Sequence, residues 1–227
     1  MPSTQPPPLV VLADGVALPI AFFERSSTAT SLLREDGLLL FRNAAAARIF
    51  TRMPPGVEDM IGHNITELEP RAFFEERVRM MRRLAIEERD AVFRDIWEGN
   101  QIMTHVHLLP PQPGEGMRLF LLMHLPTAGA VSPAPDDDVL FHDPAHQDLG
   151  PLALLSPREL EVLALVGEGL TAAQMAAKLH RSEETINTHK ASLLRKLNCQ
   201  NAVQLAVIAH RAGLKFDDGS RFASRGR

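Results

Sequence analysis

The chain has 227 residues, 45% of them hydrophobic, and a formal net charge of −4. This size and composition fit one or two globular domains, and no apolar run approaches the ~20 residues of a membrane-spanning helix. The first ten residues, MPSTQPPPLV, lack the basic and apolar regions of an export signal, so we expect a cytoplasmic protein. Cys199 is the only cysteine, which excludes an intramolecular disulfide and a cysteine-rich zinc site.

The N-terminal half begins with a proline-rich tail and lead-in over 1–26, followed by alternating strand and helix patterns over 27–126. The turn Glu35-Asp36-Gly37 separates two apolar runs, which is typical of a β-hairpin. Further elements are predicted as a helix over 44–50 capped by Asn43, a short helix near 65–68, a long helix over 71–89, and strands over 91–97, 102–109 and 117–125. The pattern predicts an antiparallel sheet with flanking helices.

Residues 127–150 contain several prolines and three consecutive aspartates, which indicates an acidic linker. His142, Asp143, His146 and Asp148 lie in it and have the chemistry of metal ligands. A mobile linker offers no scaffold for a metal site, so a solvated segment is the favoured interpretation and no metal site is predicted.

Residues 151–215 contain the signals of three short helices separated by tight turns. Ser156 precedes Pro157 and lies three residues before Glu159, a capping box with a proline at a position that suits a helix start. Thr171 and Gln174 repeat the box, and Ser182 offers a third cap. Two helices joined by so short a turn are typical of a helix-turn-helix. Asn198 is suited to end the third helix, and a fourth is predicted over 202–212, from Asn201 to Gly213.

The third of these helices has the surface chemistry of a DNA reader. Ile186, Leu193 and Leu197 can face inward, while amide, hydroxyl and cationic side chains fall on the opposite side. The alternative is an ordinary solvated helix face, which the two preceding helices disfavour. From Pro151 onward the chain has eleven Lys and Arg against seven Asp and Glu, a net charge of +4, whereas the preceding residues carry −8. The basic part is therefore the expected DNA reader.

This segment resembles the C-terminal four-helix DNA-binding domain of LuxR-type transcriptional regulators. The resemblance is carried by residues 155–159, 161–163 and 168–171, Met175-Ala176, Ser182, Thr185-Ile186, His189 and Lys196-Leu197. It implies that Asn187, Thr188 and Ala191 face base edges. It also implies a surrounding set of DNA-binding residues, most of them near phosphates: Lys178, Ser182, Thr185, Lys190 and Arg195. The family usually has Lys, an aliphatic residue and Arg where this chain has Asn187, Arg181 and Ala202, which puts the operator sequence in doubt.

The resemblance further implies that subunits pair through the fourth helix, where Val203 and Val207 are candidate dimer contacts. Spacing alone leaves open the alternative that both valines belong to the core. A dimer would place two recognition helices in successive major grooves. The expected partner is therefore double-stranded DNA with an inverted-repeat operator, its half-sites about one helical turn apart.

Residues 27–126 resemble a PAS sensor domain, through Asp36-Gly37, residues 41–46 and Ile61-Gly62 with the run to Pro70. The long helix has no histidine and the domain has no cysteine, which disfavours haem and cysteinyl-flavin chemistry, so the ligand is left unassigned. His105 and His107 alternate and should share a strand face. They fit a metal-binding or pH-sensitive pair, although hydrogen-bonded or exposed histidines are the commoner case.

The sequence thus predicts an α+β protein: an N-terminal PAS-like antiparallel sheet with flanking helices, and a C-terminal all-α four-helix helix-turn-helix domain followed by a tail over 216–227. The expected function is sequence-specific transcriptional regulation by a homodimer, with a PAS-like domain that senses a signal, through a small-molecule or protein ligand, or mediates dimerisation. The alternative is that the PAS-like domain binds only a partner protein. We expect no catalysis, because no nucleophile-base arrangement, phosphate-binding glycine loop or full metal-ligand set occurs.

Overall fold

The structure is a computed structural model that describes residues 9–11, 17–50, 60–109, 116–125 and 139–223. Contacts divide these residues into two units. The first takes in the residues up to Asp95, Ile102–His124 and 139–147, and the second takes in Ile96–Gln101, Leu125 and 148–223. Within these ranges no helix has both the length and the apolar character needed to cross a bilayer.

The first unit is built on a six-stranded sheet in the order β4-β3-β7-β6-β5-β8. Its strands are β3 (Ala29–Arg34), β4 (Leu39–Arg42), β5 (Ala91–Trp97), β6 (Asn100–Leu109), β7 (Arg118–His124) and β8 (Leu140–His142). The pairs β3–β4, β3–β7 and β6–β7 are antiparallel, and β8 runs parallel to β5. Two short strands, β1 (Leu9–Val11) and β2 (Ala17–Pro19), form a separate antiparallel pair.

The predicted hairpin joins β3 to β4 through the turn at Asp36-Gly37. Asp36 accepts a hydrogen bond from the backbone N–H of Leu38 and pairs with Arg34. Gly37 has a φ of +94°, and a Cβ at this position would lie 2.6 Å from Val78 Cγ2. Only glycine meets both conditions, because L-residues avoid this φ and there is no space for a side chain. The acidic-Gly turn is therefore a packing requirement of this unit.

The helices of the first unit follow the predicted order. They are α1 (Ala21–Glu24), α2 (Ala44–Ile49), a 3-10 turn at Ile65–Glu67, and α3 (Arg71–Glu87). Asn43 caps α2 by accepting the N–H of Ala46 at 2.9 Å. On α3, Phe74, Val78 and Met81 recur at helical spacing and are buried, whereas Ala85 at the next such position is only partly buried. The order of elements expected for a PAS-like domain is thus present.

Two segments expected to be irregular pack against the sheet. In the predicted tail, Ile20 is buried and the Phe23 ring meets Phe120 edge-on with centroids 4.8 Å apart. In the predicted linker, β8 lengthens the sheet, and the Leu140 N–H donates to the Asp90 carbonyl at 3.0 Å. Residues 127–138 of that linker and residues 1–8 and 12–16 of the tail lie outside the described residues.

The second unit is helical. Its helices are α4 (Pro157–Gly167), α5 (Ala172–Leu179), α6 (Glu183–Lys196), α7 (Ala202–Ala212) and α8 (Asp218–Ala223), preceded by a 3-10 turn at Gly150–Leu154. Leu160, Leu163, Met175, Ile186 and Leu193 form its buried core. The four predicted helices are present, and α8 occupies part of what was expected to be a C-terminal tail. Asp218 is buried there and accepts the Lys215 N–H at 2.8 Å.

Candidate nucleic-acid interface

Three side-chain caps fix where the helices around the turn begin. Ser156 accepts the N–H of Glu159 while Glu159 accepts the N–H of Ser156, and Thr171 and Gln174 form the same reciprocal pair. Ser182 accepts the N–H of Thr185 at 3.2 Å and so starts α6. These contacts satisfy N–H groups that a helix leaves unpaired. The predicted caps are confirmed, and they define the position of α6.

Glu159 also attaches α6 to α4. Its carboxylate accepts hydrogen bonds from Lys196 Nζ and Ser192 Oγ, both at 2.7 Å. Burial raises the pKa of Glu159, but Lys196, the Ser156 N–H and Ser192 outweigh that effect and lower the pKa to about 2. Because a buried carboxylate is stable only when it is fully paired, these bonds hold the C-terminal part of α6 against the start of α4.

The exposed face of α6 carries the residues that the sequence assigned to base reading. Ile186 and Leu193 are fully buried. Leu197, the third residue predicted to face inward, is only partly buried. Asn187, Thr188, Ala191 and Arg195 are exposed and Lys190 is partly exposed. The predicted inward face is thus confirmed at Ile186 and Leu193.

The side chains on this face differ in what they already bind. Within the described ranges Asn187, Lys190 and Arg195 make no side-chain hydrogen bond or ion pair. The Thr188 hydroxyl donates to the Glu184 carbonyl at 3.0 Å, and the Ser182 and Thr185 hydroxyls lie 2.9 Å apart within the cap. Lys178 pairs with Glu168 at 3.0 Å. An approaching phosphate must therefore compete with Glu168 for Lys178, but meets no protein competitor at Lys190 or Arg195.

The first unit contains a partly open, mostly apolar cavity of about 70 Å³ between α3 and the sheet. Its walls are mostly aliphatic, aromatic and methionine side chains, including Leu33, Met60, Phe74, Met81 and Ile102. Polar groups also reach it: Ser31, Arg42, Arg77, Asp95 and Thr104. Sequence reasoning missed this cavity and its buried polar residues. The available signal was one arginine within the apolar stripe of α3 and an Arg-Asp pair within an apolar strand, because buried charges occur almost only as partners.

The histidines of this unit do not act as one group. His105 Nε2 lies 3.3 Å from His124 Nε2, whereas His107 Nδ1 lies 2.8 Å from an Asp90 carboxylate oxygen. Asp90 raises the pKa of His107, while burial and then the neighbouring His124 and His107 lower the pKa of His105. His105 and His107 share a strand face as predicted, but they have different partners and opposite pKa shifts.

Among the residues that the structure describes, no three His, Cys, Asp or Glu side chains converge as metal ligands would. The acidic and histidine residues of the predicted linker bind other groups instead. Asp143 pairs with Arg94 at 3.0 Å, and His146 lies 2.8 Å from Glu76.

The helical unit is similar in sequence to known bacterial regulators. Residues 153–209 match the family model described as bacterial regulatory proteins, luxR family. This segment is a LuxR-type helix-turn-helix domain. A nitrate/nitrite response regulator homologue of Haemophilus influenzae is 42% identical over 69 residues, which cover 30% of this chain and 33% of that protein. BvgA, a transcription regulator of virulence factors in Bordetella pertussis, is 38% identical over 72 residues, covering 32% and 34%. The chain thus spans about a third of the relatives it matches.

Alignments with solved structures also include residues outside the LuxR-type domain. A VqmA–ligand–DNA complex from Vibrio cholerae aligns with 86% of this chain and 88% of its own, at 16% identity and a TM-score of 0.46. The PAS domain of BvgS from Bordetella pertussis aligns with 45% of this chain and 79% of its own, at 14% identity and a TM-score of 0.37.

The fourth helix of the LuxR-type domain, α7, leaves two valines exposed. Val203 is 72% exposed and Val207 is 46% exposed. The alternative that both belong to the core is therefore wrong, since the buried side of α7 is formed by Leu205, Ala209 and Ala212. Two apolar side chains at i and i+4 form one strip on the helix surface, and a role for that strip in dimerisation stays a prediction.

Proposed function

We propose that the protein is a sequence-specific, DNA-binding transcriptional regulator whose LuxR-type domain reads DNA through α6. The observation that carries this proposal is that Asn187, Lys190 and Arg195 have no side-chain partner among the described residues, on a helix whose orientation is held by buried bonds. An amide can read a base edge and two cations can hold phosphates. The matching relatives are named as response and transcription regulators, which supports the same function. A cytoplasmic location would follow from it.

We also infer that the protein acts as a homodimer on an inverted repeat. The exposed Val203 and Val207 supply an apolar strip of the kind that a symmetric contact would bury. Two copies of α6 would then enter successive major grooves about one helical turn apart. The apolar cavity with a few polar groups in its wall favours small-molecule sensing by the PAS-like domain over protein interaction alone.

The decisive experiment selects bound fragments from random DNA with the full chain and then compares variants on the recovered site. Lys190→Ala and Arg195→Ala should each weaken binding to all sequences and reduce the salt-dependence slope by about one, because each removes a phosphate contact. Asn187→Ala should instead relax preference at one base pair, by about 1–3 kcal/mol.

Arg211→Ala is the matched control, since Arg211 is exposed on α7 and the variant loses the same charge. It should leave the salt slope unchanged. Failure of the selection to enrich any sequence would contradict the proposed function. A change of sequence preference in Lys190→Ala would contradict the assignment of Lys190 to phosphate.

A further inference from the structure

Part of the polar wall of the cavity is an ion pair between Arg77 and Asp95. The two side chains differ in how many further hydrogen bonds each can make. Arg77 and Asp95 both line the cavity and both are at least nine-tenths buried. Arg77 Nε and Nη2 both donate to Asp95 Oδ1, the former at 3.0 Å. Thr104 Oγ1 donates to Asp95 Oδ2 at 3.2 Å.

Arg77 has no N–H left for a ligand. Besides Asp95, its guanidinium donates to the Phe73 carbonyl at 3.0 Å, the His146 carbonyl at 2.7 Å and the Gln147 side-chain oxygen at 3.3 Å. These contacts account for all five N–H groups that a guanidinium offers. An anionic ligand would therefore have to break an existing bond of Arg77.

Asp95, in contrast, can accept one more hydrogen bond. Each carboxylate oxygen accepts about two bonds. In the part of the chain that the structure describes, Oδ1 receives two and Oδ2 receives only that of Thr104. A ligand N–H or O–H directed at Oδ2 would gain a charge-assisted bond in an otherwise apolar cavity. At the Arg77–Asp95 pair, the cavity wall therefore favours a hydrogen-bond donor over an acceptor or an anion.

Arg77 also connects the cavity to residues 143–147. The same guanidinium that orients Asp95 binds the backbone of His146 and the side chain of Gln147. Glu76, next to it on α3, accepts the N–H groups of Ala145 at 2.7 Å and His146 at 2.6 Å. Burial raises the pKa of Glu76, but these N–H groups and the His146 ring hold that pKa below its usual range. Residues 143–147 lead directly into the second unit.

We propose that the cavity binds a small, uncharged, largely apolar single-ring molecule with one N–H or O–H donor, and that Asp95 accepts this donor. We further infer that binding strengthens the attachment of residues 143–147, because both depend on the same Arg77–Asp95 arrangement. One water needs roughly 10–15 Å³ of such space, so the cavity of about 70 Å³ holds about as many atoms as a single ring. The proposal rests on the sensing role proposed above.

The test of the ligand class uses phenol, toluene and benzoate with the full chain, with binding followed by chemical shifts of the cavity methyl groups. Phenol should bind about tenfold more tightly than toluene, and benzoate should bind more weakly than either. Asp95→Asn should reduce the preference for phenol over toluene, and Ser31→Ala, which removes a different cavity hydroxyl, should retain it. Equal binding of phenol and toluene would overturn the proposal. A preference lost in Ser31→Ala, or tighter binding of benzoate, would also overturn it.

Coupling to residues 143–147 is tested by linkage, which is reciprocal for binding. Saturating phenol should slow hydrogen exchange of the Ala145 and His146 amides about fivefold, and Glu76→Ala should weaken phenol binding by a similar factor. Glu75→Ala is the control, because Glu75 lies beside Glu76 on α3 and makes no such bonds to 145–146. Unchanged exchange together with unchanged phenol affinity in Glu76→Ala would overturn the coupling. Neither measurement uses DNA, so either result is separate from a failure of the proposed DNA binding.

Discussion

In this protein, single buried charged side chains join neighbouring helices and strands, because hydrogen bonds from those elements surround the charge. Glu159 is the clearest case, because three donors from α6 and the start of α4 surround one carboxylate. Such a group contributes stability only in its ionised form, since protonation removes the charge that its donors stabilise. The orientation of α6 therefore depends on the ionisation of one carboxyl group.

Glu159→Gln should lower the free energy of opening of α4 and α6 by about 2 kcal/mol, because it replaces charged hydrogen bonds by neutral ones. The folded pKa of about 2 lies below the ordinary 4.5. The contribution is thus complete above pH 4.5 and is lost as the pH falls from about 4.5 toward about 2. Hydrogen exchange of the α4 and α6 amides measures it. Glu184→Gln, at an exposed position of α6, should change exchange little.

His105 and His107 should titrate on opposite sides of the ordinary pKa of 6.5 in an NMR titration of the full chain. His107 lies above it because of Asp90, so the stability from this pair is full below pH 6.5 and is lost as the pH rises through the raised pKa. Asp90→Asn should lower the pKa of His107. A common pKa for both histidines would contradict the two separate pairs.

At the same scale, the sequence could predict which residues lie on the exposed face of α6, but not which residues line the cavity. Caps, helical spacing and surface polarity are local, so Ser182, Asn187 and Arg195 could be placed from the sequence alone. Arg77 and Asp95 are 18 positions apart, and their pairing depends on how α3 lies against the sheet. A local pattern contains no information on that packing.

At the scale of elements, short turns of the LuxR-type domain depend on residues in the left-handed region. His180 has a φ of +51° and Asn198 a φ of +53°. Asn tolerates this conformation, and its role as a helix end was predicted from the sequence. Histidine has less tolerance for it, so the turn between α5 and α6 retains some strain.

His180→Val should lower the free energy of unfolding of the LuxR-type domain by about 1 kcal/mol, whereas His180→Gly should preserve or raise it. His180 is exposed, so neither change removes a buried contact. Hydrogen exchange of the α5 and α6 amides reports both. As a control, Ala177→Val introduces valine at an exposed helical position and should cost only about 0.5 kcal/mol. A larger loss from glycine than from valine would refute the strain argument.

Two elements near the ends of the units, β8 and α8, were not predicted from the sequence. β8 and α8 occupy segments of low periodicity, which sequence patterns read as linker and tail. β8 forms because β5 offers an unpaired edge, and α8 forms against α4 with Asp218 buried. Both depend on a neighbour distant in sequence, and neither has a strong local signal.

For the whole molecule, oligomeric state should control DNA affinity. The double variant Val203→Asp with Val207→Asp should reduce the dimer fraction in sedimentation experiments, because it places charge on the proposed apolar contact. It should also weaken binding to a complete inverted repeat far more than binding to a single half-site.

Ile86→Asp is the matched control, since Ile86 is an exposed hydrophobic side chain on α3, outside the LuxR-type domain. It should leave the dimer fraction unchanged. If Ile86→Asp dissociates the dimer and the valine variant does not, the contact between subunits lies in the first unit.

The position of β8 changes what the stretch between β7 and β8 can do. Both strands belong to the same sheet, so the ends of β7 and β8 stay at a fixed separation. We expect added residues between these fixed ends to cost loop-closure entropy of about 0.6 kcal/mol for each doubling of length. A fluorescent reporter or an affinity tag could thus be inserted there, whereas extra residues after Gln147 would lengthen the chain that joins β8 to the LuxR-type domain.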